Sequence, residues 1–128
     1  MKDPVRTEAA PAPFQGAPYS QAIKANGFVF VSGQLALRPG EKELLPGGIV
    51  EQTEQVFANL RAILEAAGSS LGQIVKTTVF LQDLDDFAAM NEVYARHVGD
   101  TPPARSTFQV AKLPSGALVE IEAVALVS

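Results

Sequence analysis

The stretch from Leu118 to Val127, Leu-Val-Glu-Ile-Glu-Ala-Val-Ala-Leu-Val, constrains what this chain can fold into more than any other feature. Its length and its content of Val and Ile mark a long strand. Val119, Ile121, Ala123, Ala125 and Val127 share one face of that strand, and Leu118, Val124 and Leu126 share the other. A strand that is apolar on both sides belongs in a sheet that is covered on both sides. Phe28-Val-Phe-Val31 has the same property. The fold must therefore find cover for two sheet faces.

The rest of the chain offers two helices for that task. Val56, Leu60, Ile63, Leu64 and Ala67 recur at helical spacing, which predicts a helix over 50–67 that Gly68 stops. A second helix is expected over 84–98, with Asp83 as its cap and Gly99 as its stop. Ile74 to Leu81 is rich in β-branched residues and reads as a strand. Asn26-Gly27 between two apolar runs predicts a two-residue hairpin, because both central positions want positive φ. Residues 1–18, rich in proline and alanine, read as an extended lead-in. Residues 38–48 read as a loop or loose hairpin, and Pro102-Pro103 forces an extended loop before Arg105. With 128 residues this is a single domain spanning 1–128. The order is hairpin, helix, strand, helix, strand, an α+β domain with a mixed sheet and βαβ units. Right-handed crossovers tend to place both helices on one face. The second apolar face is then left for another copy of the chain to bury.

Composition removes several function classes. The net charge is −4, so there is no basic field to hold a phosphate backbone, and nucleic acid is not an expected partner. The chain has no cysteine, which excludes disulfides, thiolate nucleophiles and cysteine metal sites. One histidine, His97, is too few for a histidine metal site. It lies near a helix C-terminus, where a surface role is expected rather than that of a catalytic base. There is no phosphate-cradling glycine loop. Asp83, Asp85 and Asp86 fail as a calcium loop, because Ala88 and Tyr94 stand where the turn glycine and the bidentate glutamate belong. They read instead as a solvated helix start. No apolar leader and no membrane-spanning run is visible, so a cytoplasmic protein is expected.

A few polar residues embedded in apolar sequence remain. Glu120 and Glu122 are two apart and point to the same face. That face is either a water-facing edge or a partly dry pocket in which desolvation makes a carboxylate a usable acid or base. Arg105 is either a surface arginine or a two-pronged fork for a carboxylate. Ser32 and Gly33 end an apolar run, as a strand terminus with a turn glycine does. These residues alone define no reaction.

Several motifs together do point to one. Ala17-Pro-Tyr-Ser-Gln-Ala22, Val31-Ser-Gly-Gln34, Asn59-Leu with Glu65-Ala-Ala-Gly68, and Val75-Lys-Thr-Thr-Val-Phe-Leu81 resemble the signatures of the YjgF/RidA (reactive intermediate deaminase) family. So do Asp86-Phe87 with Asn91 and Tyr94, Pro103-Ala-Arg-Ser-Thr-Phe-Gln-Val-Ala-Lys-Leu-Pro114, and Val119-Glu-Ile-Glu122. The resemblance runs in register from about residue 7 to the C-terminus. It implies a chorismate-mutase-like α+β fold assembled as a homotrimer, with the sheets forming an inner barrel and small carboxylic acids bound in clefts between subunits.

It also implies deamination of 2-imino acids to 2-keto acids and ammonia, without metal or cofactor. Arg105 would grip the substrate carboxylate, Glu120 would position or activate water, and Tyr19 would line the pocket. Ser32, Gly33 and Asn91 match positions that shape or contact the same cleft. Two departures from the family pattern stand out. Thr107 replaces the cysteine of many members, and Gly-Ala-Pro-Tyr19 replaces the commoner Gly-Pro-Tyr. Two other functions are carried forward, a non-catalytic sensor of small carboxylates and an endoribonuclease or translation inhibitor. The acidic balance and single histidine argue against phosphodiester cleavage. Glu120 separates enzyme from sensor, since a carboxylate beside a substrate carboxylate costs binding energy unless it moves protons.

Overall fold

The computed structural model describes residues 1–127; Ser128, the last residue of the expected domain, lies outside them. Six strands and two helices follow in chain order. They are β1 (Asp3–Val5), β2 (Ala22–Ala25), β3 (Phe28–Gln34), α1 (Ile49–Ala66), β4 (Ile74–Leu81), α2 (Phe87–Val98), β5 (Ala104–Gln109) and β6 (Val119–Leu126). They form one mixed sheet in the order β1-β2-β3-β6-β4-β5, in which β4 and β5 are parallel and every other neighbouring pair is antiparallel. The chain's last strand thus lies in the middle of the sheet.

Local chemistry accounts for the element boundaries. Asn26 and Gly27 take φ of 57° and 82°, the paired left-handed values of the expected hairpin turn between β2 and β3. The Gly48 N–H donates to the Glu51 carboxylate at 2.8 Å, which satisfies one free donor at the start of α1. At its other end Gly68 (φ 83°) donates to the Glu65 carbonyl and Ser69 to that of Leu64, a Schellman closure. Asp83 caps a short 3₁₀ turn, Leu84–Asp86, by accepting from the Asp85 N–H at 2.9 Å. The α-helical part of the second helix therefore begins at Phe87, three residues later than expected.

Both helices pack on one face of the sheet. Val119, Ile121, Ala123 and Ala125 of β6 and Thr77, Val79 and Leu81 of β4 are buried there with Phe57, Leu60, Ile63, Leu64, Met90 and Val93. The other face has no helix. Phe28, Phe30, Phe108 and Leu126 are exposed on it, with Phe80 half-buried beside Phe108. The expected surplus of apolar strand surface is present, concentrated in aromatic rings that face outward.

Three expectations need correction. The lead-in is not simply extended: Asp3–Val5 pairs with Lys24, Ile23 and Ala22 as an edge strand, and Phe14–Gly16 forms a tight turn. Ala104–Gln109 is a strand, where the sequence suggested only a loop leading into Arg105. Its composition is too polar for a strand signature, and its pairing with β4 is a long-range event. His97 is only partly at the surface. Its ring stacks on Phe57 (centroids 4.7 Å apart, 7° between planes) and Nε2 meets Glu54, leaving the side chain 17% exposed. Among the described residues no helix is long and apolar enough to cross a membrane.

Candidate functional site

Glu120 and Glu122 both point to the open face, because the alternate residues Val119, Ile121 and Ala123 fill the core on the other. They do not lie on a water-facing edge, since β6 is flanked by β3 and β4. Next to Glu120, the pairing of β3 with β6 slips between Val31 and Gln34, a bulge at Ser32-Gly33. Such bulges re-aim side chains near sites. Here the bulge makes room for the carboxylate: a Cβ at Gly33 would lie 2.0 Å from Glu120 Oε2 and 2.9 Å from its Cδ. The absence of a side chain at position 33 is what lets Glu120 lie across the strand. Ser32 Oγ donates to the Ser20 carbonyl at 2.6 Å and its N–H to the Gln21 carbonyl at 3.0 Å, joining β3 to the segment before β2.

That segment supplies the opposite wall. Two tight turns, Phe14-Gln15-Gly16-Ala17 and Pro114-Ser115-Gly116-Ala117, flank the carboxylates, and each holds a non-glycine residue at left-handed φ (Gln15 55°, Ser115 56°). Tyr19 stands beside the first turn, where its hydroxyl oxygen accepts the Phe14 N–H. Together Phe14, Tyr19, Ser32, Gly33, Pro114 and Glu120 enclose, with Glu122 and a few neighbours, a cleft of about 580 Å³. A second cavity of about 660 Å³ lies on the other flank of Tyr19, against Val5, Arg6 and Pro39, and contains neither carboxylate of the β6 pair. The Glu120 carboxyl is held above the ordinary carboxylate range, first by desolvation and then by the charge of Glu122. An acid so raised is a better proton acceptor when ionised than a solvated glutamate.

Arg105 and Asn91 lie elsewhere. Arg105 of β5 is paired with Thr77 of β4, whose side chain points into the helix-covered layer. Its guanidinium lies 4.7 Å from the centre of the Tyr94 ring and 5.5 Å from that of Phe87, stacked against α2. Asn91 lies between those two rings along the same helix flank, at i+4 and i−3. Its Oδ1 is buried without a hydrogen-bond partner, as is Oγ1 of Thr107, two residues beyond Arg105 on β5. Arg105 has no carboxylate partner among the described residues.

The six expected residues thus form two groups. Tyr19, Ser32, Gly33 and Glu120 share the cleft; Arg105 and Asn91 share the opposite layer at the β5 side of the sheet. Within one copy they do not meet. The two turn residues Phe14 and Pro114 were missed as site components. The repeated X-Gly-Ala pattern at 15–17 and 115–117 was the available signal. No group of three or more His, Asp or Glu side chains that could hold a metal ion occurs among the described residues.

Comparison with known proteins places this geometry in a family. Residues 7–127 match the family described as Endoribonuclease L-PSP. A RutC family protein of Pyrococcus horikoshii is 51% identical over 125 residues, 98% of each chain. The 2-iminobutanoate/2-iminopropanoate deaminase of Mus musculus is 45% identical over 122 residues, 95% of this chain and 89% of that one. The crystal structure of E. coli TdcF with bound serine matches with a TM-score of 0.90 and 41% identity, covering 98% of this chain and 99% of the other. The mixed sheet, the two helices on one face and the match over nearly the whole chain agree, and the chain belongs to the Endoribonuclease L-PSP, or YjgF/RidA, family.

Proposed function

We propose that this protein is an imine deaminase that hydrolyses short 2-imino acids, such as 2-iminobutanoate and 2-iminopropanoate, to 2-keto acids and ammonia. The observation that carries the reading is the partition of the polar groups. A carboxylate with a raised affinity for protons lies over Gly33 in a cleft at the open sheet face, and an arginine without a carboxylate partner lies in the opposite layer. A 2-imino acid needs both, and one copy cannot bring them together. Assembly through the exposed Phe28, Phe30, Phe108 and Leu126 would bury the aromatic face and set the Glu120 cleft of one copy against the Arg105 layer of the next. A homotrimer is the form this reading adopts.

The chemistry asks little of the protein. The carbon of a protonated imine is already electrophilic, so attack by water requires orientation and a proton acceptor. Arg105 would hold the substrate carboxylate in a two-pronged charge-assisted pair. Glu120 would take a proton from the attacking water as the C–O bond forms, giving a carbinolamine. Returned to nitrogen, that proton lets ammonia leave as the C–N bond breaks, while the carbinol hydroxyl gives its own proton to the freed Glu120 carboxylate and the keto carbonyl forms; the ammonia takes that proton away as ammonium. Tyr19 and Ser32 would border the reacting carbon, and the unpartnered Asn91 Oδ1 is an acceptor available on the Arg105 side. The name carried by the mouse relative supports the substrate class.

A second reading keeps the site and drops the turnover, leaving a binder of small amino or keto acids. The serine held by E. coli TdcF favours it. An assay separates the two readings. An amino-acid dehydratase or oxidase generates the imine in place, and keto-acid release is followed with wild type, Arg105→Ala and Glu120→Ala. Acceleration by wild type that both variants lose supports the deaminase. If wild type adds nothing to the uncatalysed rate on either imine, the deaminase reading falls and the binder leads.

A further inference from the structure

The wall that carries Phe14 and Tyr19 belongs to a loop, Thr7–Ser20, that contains no strand. Its internal backbone bonds are local, from Gly16 to Pro13, Ala17 to Phe14 and Tyr19 to Ala17. It meets the body at a few places: Ala10 is buried in the core, Phe14 packs against the cluster of Leu35, Leu37, Leu113 and Ala117, and Ser32 Oγ donates to the Ser20 carbonyl. Most of the remaining polar attachment comes from one side chain. Gln21, 4% exposed, accepts the Thr7 N–H at 2.7 Å through Oε1. Its Nε2 donates to the carbonyls of Pro11 at 2.8 Å, Thr7 at 3.0 Å and Ala10 at 3.3 Å. The amide thus clasps the two ends of the loop to each other, next to the start of β2. Loops closed in this way hold their shape by their own contacts.

We propose that Gln21 is a positioning residue for the Glu120 cleft, fastening residues 7–11 so that the Phe14 turn and the Tyr19 ring stand opposite the carboxylate. Gln21 lines no part of that cleft and acts through the loop. The link runs through named bonds: Gln21 to Thr7 and Pro11, the short run to Phe14, and the Phe14 N–H to the Tyr19 hydroxyl. For its kinetic consequence the inference rests on the reaction proposed above; for its structural content it does not.

The test uses the full chain as wild type, Gln21→Met and Gln21→Glu. The first keeps side-chain length and removes all four bonds. The second keeps the acceptor for Thr7 and sets a carboxylate against three carbonyls, so it stands in if the first does not fold. Amide hydrogen exchange across residues 7–17 should quicken about tenfold or more, while α1 and β6 exchange as in wild type. With the imines, KM should rise about tenfold while kcat stays within about threefold, since binding is weakened and the chemical groups are kept. Unchanged exchange in 7–17 overturns the proposal, and so does faster exchange that spreads equally to α1 and β6. A loosened loop with unaltered KM also overturns it. A wild type inert toward imines sinks the deaminase reading without deciding this one. The exchange pattern and calorimetric affinity for 2-oxobutanoate then decide it, with weaker binding by the loosened variants in support and equal binding against; if wild type does not bind 2-oxobutanoate either, the exchange pattern alone decides.

Discussion

The two faces of the sheet are built from the same strands, yet they differ in almost every physical respect. On the helix-covered face of β6, Val119, Ile121 and Ala125 have no exposed surface, and nearby polar groups are paired: Thr77 Oγ1 with the Tyr94 hydroxyl at 2.6 Å, and Asn59 with the carbonyls of Leu35 and Leu37. On the open face the alternate positions hold Glu120, Glu122 and Leu126, beside exposed phenylalanines of β3 and β5. The covered face carries the stability of the single copy. The open face carries exposed aromatic rings and a partly desolvated carboxylate, which is where binding and assembly surfaces are found, whereas the unpartnered Asn91 Oδ1 and Thr107 Oγ1 lie toward the β5 edge of the covered layer. A bulge and a residue without a side chain are tolerated at Ser32-Gly33 because that stretch of β3 serves the second face.

Neighbouring substitutions on β6 test this contrast most strongly. Ile121→Ala removes a fully buried side chain and should cost about 2–5 kcal/mol in denaturant unfolding, with the folded fraction keeping its turnover. Glu120→Gln should do the reverse, lowering kcat by about 10²–10⁴-fold with little change in the unfolding midpoint. If Ile121→Ala abolishes turnover in folded protein, or Glu120→Gln unfolds it, the division between the faces is wrong. Next in size, Phe30→Asp places a charge on the exposed aromatic face. Sedimentation should report a smaller species than wild type, with loss of imine turnover and preserved helix content. An unchanged mass with full activity would remove the open face from the assembly.

Smaller effects sharpen the contrast. Thr77→Val leaves the Tyr94 hydroxyl without its partner in the covered layer and should cost about 1–3 kcal/mol of stability. The smallest effect is a pH dependence of opposite sense on the two measurements. Desolvation and Glu122 raise the Glu120 pKa in the folded state, so between the unfolded and folded values the native protein binds the extra proton. The stability contributed by protonated Glu120 is present below its unfolded pKa and declines as pH rises through the folded one. On the proposed mechanism turnover needs the ionised form and should rise over the same window. Glu120→Gln should flatten this part of the stability profile. A wild-type profile whose acidic limb lies at the ordinary glutamate value would contradict the dry setting of the cleft.

Much of this was legible in the residues. The hairpin at Asn26-Gly27, the helix ending at Gly68, the strand over 74–81 and the shared face of Glu120 and Glu122 are local consequences of turn chemistry and of period-two or period-3.6 patterning. The need for cover on a second sheet face followed from the same alternation in Phe28–Val31 and Leu118–Val127. The motifs around Tyr19, Ser32, Arg105 and Glu120 marked the residues of interest. The strands β1 and β5 were not legible, because three residues carry no period and Ala-Arg-Ser-Thr-Phe-Gln carries too little apolar signal. The inward turn of His97 was hidden for a related reason, since its partner Phe57 lies on another helix.

What the sequence by itself determined, then, is much of what depends on neighbours along the chain: which residues alternate, where the Asn26-Gly27 hairpin and the first helix close, and that the sheet has two apolar faces. The tertiary structure alone decided that Arg105 and Glu120 occupy opposite layers, that β6 is central and that Gly33 lies under the Glu120 carboxylate. Those facts depend on the register between strands far apart in sequence. A slip of one residue in that register moves a side chain to the other face, and no local pattern records it.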